Sequence, residues 1–392
     1  MSVLRRLLLL CAALTLTGCS VVRVPRLHLA MHPPAAATVP GIDDGYEDYV
    51  GVMHIHTTYS HDAHGTLEEA IRAANAQHLD YIIVTEHNNL RPLREGKQGW
   101  HGGTLVLIGM EISAKGGHYL ALNVTDEVDR ERLTTQAVID EVNRQGGFGF
   151  IAHPYFEQRR WTDWSVSGFT GIEAYNVAHD TLDENRMRLI LWTLASTPEA
   201  FYLSLIDRPY DPLTTWDALI PRHKRVVGIG AADAHQINVL GIKFAPYDIM
   251  FRLIRTHVLA PLTTLTPDGV YDALRAGHAY FAIELIAPAK GFAFAAYRGK
   301  ALAGIMGDEV LFTPDLTLKV VVPSPAEVIL FKDGTPIKGE RSQALDVPVD
   351  TPGVYRIEVT HHGKPWIFSN PIYVRPPEQP QPPATPELPV EH

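Results

Sequence analysis

The run Met53-His54-Ile55-His56-Thr57-Thr58-Tyr59-Ser60 closes a stretch that reads as a strand and opens a series of histidines and carboxylates along the chain. A strand alternates its side chains, so both histidines of an H-x-H emerge on one face, close enough to share a metal ion. With 19 histidines in 392 residues, such a pair arises by chance roughly once, so the weight rests on the residues downstream of it. Asp62 comes next, then Glu86-His87 after the apolar Tyr81-Ile82-Ile83-Val84, and Glu111 after Leu105-Val106-Leu107-Ile108. His118 precedes Tyr119-Leu120-Ala121-Leu122, His153 ends the segment begun by Phe148-Gly149-Phe150-Ile151, and Asp233 and His235 come after Val226-Val227-Gly228-Ile229-Gly230. Short apolar segments of this kind read as buried parallel strands. Side chains gathered at their ends converge on one rim of a barrel, an arrangement suited to metal-dependent hydrolysis.

The same residues carry a family resemblance. Met53 to Ser60, with Asp62, Gly65-Thr66 and a helix leading to Val84-Thr85-Glu86-His87-Asn88, resembles the first two motifs of the PHP superfamily, named for polymerase and histidinol phosphatase. Gly109-Met110-Glu111-Ile112, Gly117-His118, Ala152-His153-Pro154 and Asp233-Ala234-His235 resemble its remaining motifs, in order. One departure is Thr85-Glu86-His87, where the family pattern reads Thr-Asp-His; the expectation is that Glu86 stands behind the ligands rather than among them.

The resemblance implies a distorted seven-stranded (β/α) barrel with two or three divalent transition-metal ions, Zn, Mn or Fe. It implies that His54, His56, Glu111 and Asp233 hold the first ion, Glu111, His118 and His153 the second, and Asp62, His87 and His235 the third. Glu111 would bridge two ions, and a metal-bound hydroxide would be the nucleophile. Three divalent ions against the carboxylates of Asp62, Glu111 and Asp233 leave a pocket of about +3, which suits a small anionic substrate.

Weaker candidates surround this set. His61 and His64 flank Asp62 as substrate contacts, and Glu173 and Asn176, after Ile172, read as a further strand end at the rim. His179 and Arg208 are candidates to protonate a leaving group or hold an anion. His78, His223, His257 and His278 read as surface or packing residues, and His361-His362-Gly363 as a solvated turn.

Beyond the site, 46% hydrophobic residues over this length predict two domains with a sizeable core. A net charge of −10 disfavours nucleic acid as a partner. Residues 1–18 read as a signal peptide, with Arg5-Arg6 before the apolar Leu7 to Leu16. Leu16-Thr17-Gly18-Cys19 resembles a bacterial lipoprotein box, which implies lipidation of Cys19 and, with Ser20 after it, an outer-membrane anchor facing the periplasm. Cys11 leaves with the signal, so no disulfide is expected. Residues 19–47 then read as a flexible tether.

From 48 to 289, strand and helix alternate, with Thr66 as N-cap of a first helix and further helical spacing at 134–145, 183–199 and 267–276. Such alternation predicts a parallel sheet. The stretch from Asp207 to His223 reads as a loop and short helix over the barrel mouth. Residues 290–376 change to a two-residue period around the turn signal Asp333-Gly334, as in Val354 to Thr360, and predict a small antiparallel β-sandwich that packs on the barrel or meets an envelope protein partner. The proline-rich residues 377–392 read as a disordered tail.

Three functions stand as expectations. They are a phosphoesterase acting on a small phosphorylated or phosphodiester compound in the cell envelope, a metal-dependent hydrolase of a carbon ester, amide or carbamate, and a non-catalytic metal-binding lipoprotein. The spacing from Glu111-Ile112 to Gly117-His118 and the C-terminal strands resemble a carbamate-hydrolase-like branch of the superfamily.

Overall fold

The computed structural model describes residues 45–177, 198–223, 225–239, 242–261 and 264–377. The signal, Cys19, nearly all of the tether, His179 and the tail beyond 377 lie outside them. The first strand, β1, spans Tyr46–Ile55, so Glu47 and Asp48 belong to the sheet. Next along the chain are β2 (Tyr81–His87), β3 (Gly99–His101), β4 (Thr104–Ala114), β5 (Gly117–Leu122), β6 (Phe148–Ile151), β7 (Gly171–Asn176) and β8 (Val227–Ala231). The helices among them are α1 (Leu67–Ala76), α2 (Arg91–Arg94), α3 (Thr135–Arg144), α4 (Pro198–Leu205) and α5 (Tyr210–His223). Of the helix expected at 183–199, only its last two residues are described, and they begin α4.

α1 forms where sequence chemistry favours it. The Thr66 side chain accepts from the Glu69 backbone N–H while Glu69 reaches back to the Thr66 N–H, and Leu67, Ala70 and Ala74 turn one buried face to the sheet.

β1–β2, β2–β4, β6–β7 and β7–β8 pair in parallel. β5 corrects the all-parallel expectation, because it pairs antiparallel with both β4 and β6. Only Lys115 and Gly116 separate β4 from β5, and so short a link can reverse the chain but not cross over it. Beyond β8, Ala232 N–H donates to Met53 O (3.1 Å), Ala234 N–H to His54 O (3.2 Å) and His56 N–H to Ala234 O (3.0 Å). Backbone pairing thus runs β1-β2-β4-β5-β6-β7-β8 and returns to β1. Met53, Tyr81, Ile83, Leu107, Leu120 and Phe150 fill one side, and Val52, Ile82, Val84 and Ile108 meet α1 and α3 on the other.

α5 also differs from expectation. It is a full helix whose Leu213, Trp216, Leu219 and Ile220 are buried. Trp216 Nε1 donates to Val226 O (2.8 Å), so the helix packs beside the start of β8 instead of covering a mouth.

After β8 come β9 (Ile237–Val239), β10 (Ile242–Phe244), α6 (Tyr247–Leu253), β11 (Arg255–Pro261), α7 (Pro267–Ala276) and β12 (Ala279–Ala282). The C-terminal strands are β13 (Ala293–Arg298), β14 (Ala301–Ile305), β15 (Glu309–Leu311), β16 (Leu316–Lys332), β17 (Thr335–Pro348), β18 (Gly353–His361), β19 (Lys364–Ser369) and β20 (Ile372–Arg375). They pair antiparallel except β15 with β20. They also join the preceding strands, since β19 pairs with β12, β12 with β11 and β11 with β1. The protein is therefore mixed α/β with one large sheet.

A buried ionic group ties β1 to β11. His257 Nδ1 lies 2.8 Å from Asp48 and Nε2 lies 3.2 Å from Glu284, with the ring stacked on Tyr280. Burial alone would push the imidazole pKa down, but the two carboxylates raise it to about 9. A raised pKa stabilises the fold fully below the unfolded value of about 6.5, and that contribution fades as pH climbs through 9. His257→Ala should therefore lower the unfolding free energy at pH 7 by about 3–5 kcal/mol, because it leaves buried carboxylates unpaired. Urea denaturation checks this, and the wild type, unlike the variant, should lose stability between pH 7 and 9.5.

Candidate metal centre

The two-residue alternation that makes an H-x-H legible does not by itself bring these histidines inward. Met53 shares the inner side with Tyr81 and Ile83, while Val52 and Ile55 share the outer one, so the parity of β1 changes between Met53 and Ile55. The register shifts at that point, where Met53 pairs with Ile83 and Ile55 with Val84. His54 takes up the extra residue with φ 62°, a bulge that turns its side chain and that of His56 to the rim. His153 (φ 23°) and Asp233 (φ 49°) occupy the same uncommon backbone region just past β6 and β8. Glu111 needs no such device, since it lies in register with His87 on the neighbouring strand. His118 opens the antiparallel β5, which brings the start of that strand to the same rim.

Glu111 is the hub of the resulting group. Its Oε2 lies 3.3 Å from His54 Nε2, 3.2 Å from His56 Nε2 and 3.0 Å from His87 Nδ1. Its Oε1 lies 2.6 Å from His118 Nδ1 and 2.9 Å from His153 Nε2. Asp233 Oδ1 is 3.4 Å from both His54 and His56, and Asp62 is 3.1 Å from His87 and 3.7 Å from His235. The donor atoms form four overlapping triads: His54, His56 and Asp233; His54, Glu111 and His153; His87, Glu111 and His118; and His56, His87 and His235. All nine residues named from the sequence are thus brought together.

Several of their buried atoms lack a hydrogen-bond partner, among them His54 Nε2, His56 Nε2, His87 Nδ1, Glu111 Oε2 and Asp62 Oδ1. Leaving one buried polar atom unsatisfied costs about 1–3 kcal/mol, so this many at one rim fits a group that divalent cations complete.

Surrounding contacts orient three of the rings. Ser60 Oγ donates its single hydrogen to Glu86 (2.5 Å), so at the 3.3 Å contact His56 Nδ1 must be the donor, which leaves Nε2 with its lone pair. His54 Nδ1 meets the Glu173 carboxylate at 2.5 Å, and His235 Nδ1 donates to the Asp233 carbonyl at 2.9 Å. In each case Nε2 is the nitrogen turned toward the carboxylates, as in carboxylate-backed metal sites.

Charge within the group is shared as protons. Burial disfavours a charged His54, yet Asp233, Glu173 and Glu111 hold its pKa well above the ordinary value. Burial likewise opposes a charged His87, but Asp62 and Glu111 raise it to about 10. Glu111 and Asp233 are held well below the carboxylate range despite burial, chiefly by His54. His235 falls to about 4 because of burial and the neighbouring His56. A divalent cation would take the place of these protons, so its binding would release them.

The weaker candidates divide. Glu173 is buried behind the rim, where it also accepts the His153 N–H at 2.7 Å and the Asn176 amide at 2.8 Å. A register shift between Glu173 and Tyr175 lets both Glu173 and Asn176 face the group although three positions apart. His61 is 80% exposed at the edge, 3.8 Å from Asp62. His64 turns away and accepts the Asn238 N–H at 2.9 Å. Arg208 is a correction, since its Nε and Nη2 donate to Glu358 at 2.7 Å, which directs the guanidinium to the C-terminal strands. Glu86 stands behind the ligands as expected, accepting from Thr57 N–H, Thr57 Oγ1 and Ser60 Oγ. Thr57 and Ser60 themselves were not singled out from sequence; the signal available was two hydroxyls inside the opening run.

No curated protein matches the chain. Among solved structures, it is similar to a two-domain protein from Bacteroides vulgatus described as containing a predicted PHP-like metal-dependent phosphoesterase, at 16% identity and TM-score 0.41 over 84% of this chain and 96% of that one. It is also similar to PsfC from Pseudomonas syringae, at 13% identity and TM-score 0.39 over 60% of this chain and 91% of that one. At such TM-scores these likenesses carry no argument of their own. Residues 53–244 match the family model of the PHP domain. That stretch contains every residue of the triads from His54 to His235.

Proposed function

We propose that this chain is a metal-dependent phosphoesterase, acting on a small phosphorylated or phosphodiester substrate and built on a distorted seven-stranded (β/α) barrel. The observation that carries the reading is the set of buried, unpartnered nitrogen and oxygen atoms gathered around Glu111. His54, His56, Glu111 and Asp233 would hold one divalent ion, Glu111 with His118 and His153 a second, and Asp62, His87 and His235 a third. Bound ions of this kind bring water's pKa toward neutrality and offset charge on phosphate oxygens, so a protein nucleophile is not required.

The residues themselves supply position. Glu111 offers one oxygen to each side of the group, Glu173 and Ser60 fix the ring nitrogens of His54 and His56, and Asn176 holds Glu173 in place. Two or three divalent ions would outweigh the carboxylates, which favours an anionic substrate in an otherwise acidic protein. The lipoprotein-like Leu16-Thr17-Gly18-Cys19 supports an anchor on the periplasmic side of the outer membrane.

Purified without chelator, the protein should contain about two or three Zn, Mn or Fe ions per chain by elemental analysis. It should hydrolyse members of a phosphomonoester and phosphodiester panel in preference to aryl carbamates. Glu111→Ala should lose activity by several orders of magnitude with the circular-dichroism spectrum retained. Less than one ion per chain, or full activity in Glu111→Ala, contradicts the reading; hydrolysis of carbamates alone would point to the carbon-ester and carbamate class.

Glu173→Gln keeps the shape but removes the charge behind His54. It should weaken metal binding about 10–100-fold, read by chelator competition, because groups that orient a ligating histidine matter on that scale.

For location, the chain should partition with membranes, and Cys19→Ser should stay unprocessed or change fraction. Each buried acyl CH₂ contributes about 0.8 kcal/mol, far beyond what a polar tether supplies. Unchanged membrane recovery of a cleaved Cys19→Ser chain would argue for attachment through the C-terminal strands to another envelope component.

A further inference from the structure

Among the described residues, β8 has a strand neighbour along only one edge. β7 pairs with it on one side, where Val227 N–H donates to Thr170 O just before the strand proper. On the other side the N–H groups of every second residue point to no strand until Ala232 and Ala234 reach β1. The intervening positions are each taken by a buried side chain. Val226 N–H donates to Tyr373 Oη (3.2 Å). Gly228 N–H donates to Asn370 Oδ1 (2.8 Å), and Gly228 O accepts from Asn370 Nδ2 (3.0 Å). Gly230 N–H donates to Thr256 Oγ1 (3.2 Å), and Gly230 O accepts from the same hydroxyl (2.7 Å). An amide that both accepts from and donates to one residue reproduces the pattern of a facing peptide.

We propose that Tyr373, Asn370 and Thr256 form a side-chain ladder that stands in for a missing strand beside β8 and fixes its register. Its consequence lies at the far end of the strand, where Asp233 and His235 enter the metal centre. Two of the three rungs come from β20 and the link before it, so the C-terminal segment positions ligands as well as completing the sheet. Asn370 is also held on its own side, since its Nδ2 donates to Ala279 O at 2.8 Å. Gly228 and Gly230 fit the same account, because a Cβ at either would strike Trp216 or Phe281 and force β8 from its present place.

The inference rests on the metal-centre reading, and its test separates the two. Full-length wild type, Asn370→Leu, Thr256→Val and Thr256→Ser are loaded with cobalt(II), and dissociation constants and visible ligand-field spectra are recorded beside thermal melts. Leu330→Ala, a core deletion in β16 away from β8, serves as a stability control. Asn370→Leu and Thr256→Val should bind at least one ion about tenfold more weakly with an altered spectrum. Thr256→Ser, which keeps the hydroxyl, should restore both, and Leu330→Ala should melt earlier with unchanged affinity. Wild-type affinity and spectrum in folded Asn370→Leu and Thr256→Val would overturn the ladder's positioning role. Should Asn370→Leu not fold, the contrast between Thr256→Val and Thr256→Ser decides. Failure of the wild type to bind cobalt would overturn the metal reading, and this inference with it.

Discussion

Everything at the rim depends on one break in strand alternation. Up to Met53 the inward side chains of β1 are the odd-numbered ones, and unbroken pleating would send His54 and His56 toward the helices, where an imidazole would displace apolar packing. The left-handed backbone at His54 restores them to the inside. A non-glycine residue held there costs on the order of 1–3 kcal/mol and persists only where its surroundings over-determine it. The surroundings do so: the carbonyls of Met53 and His54 accept from the N–H groups of Ala232 and Ala234, so the bulge is gripped by the strand extension that carries Asp233. The strain in one ligand-bearing strand is thus held by another, and neither can relax without moving the other's ligands.

The centre is also electrostatically unfinished in the chain alone. Burial opposes charge on Glu111 and Asp233, yet His54 above all holds both carboxylates well below their usual range, and its own pKa is raised by them in return. That arrangement neutralises charge but leaves Nε2 of His54 and His56 and Oε2 of Glu111 without hydrogen bonds. A core evolved for stability alone would pair these atoms or replace them with apolar groups. The ionic group around His257 shows the contrast, for there Asp48 and Glu284 engage both ring nitrogens and Tyr280 and the Gly291 N–H complete the Asp48 carboxylate.

Much of this was legible from the sequence for a simple reason: ligand-type residues at the ends of apolar runs can only lie where strands emerge. α1 was legible through Thr66 and α7 through its helical spacing, and in both the threonine before the helix accepts from the third residue beyond. The bulge was not, since His54 carries no glycine or other mark of its backbone, and the reading reached the right face through an alternation that the strand does not keep. The reversal at Lys115-Gly116 could have been recognised from its brevity and the adjoining Gly117 (φ +137°). Arg208 was placed near the rim by its chain neighbours, whereas its partner Glu358 is 150 residues away, a separation that no local pattern encodes. Asn370, likewise, gives no sign in sequence of facing Gly228.

The departure at Glu86 shows how a local change is absorbed. Its carboxylate accepts two contacts of 3.1 Å from the Thr57 N–H, and the hydroxyls of Thr57 and Ser60 at 2.5 Å, which pins the turn beyond the histidine pair. Ser60 in turn accepts the His87 N–H at 2.9 Å, so the turn after β1 and the end of β2 are fastened through one hydroxyl. Because that hydroxyl has a single hydrogen and Glu86 takes it, His56 can only donate from Nδ1. The carboxylate therefore sets the tautomer of His56 without touching it, and its reach of one extra methylene is matched by hydroxyl and amide partners on the opposing turn. A residue outside the ligand set thus determines which atom of a ligand-type histidine faces the cation position, and Glu86 does so from full burial.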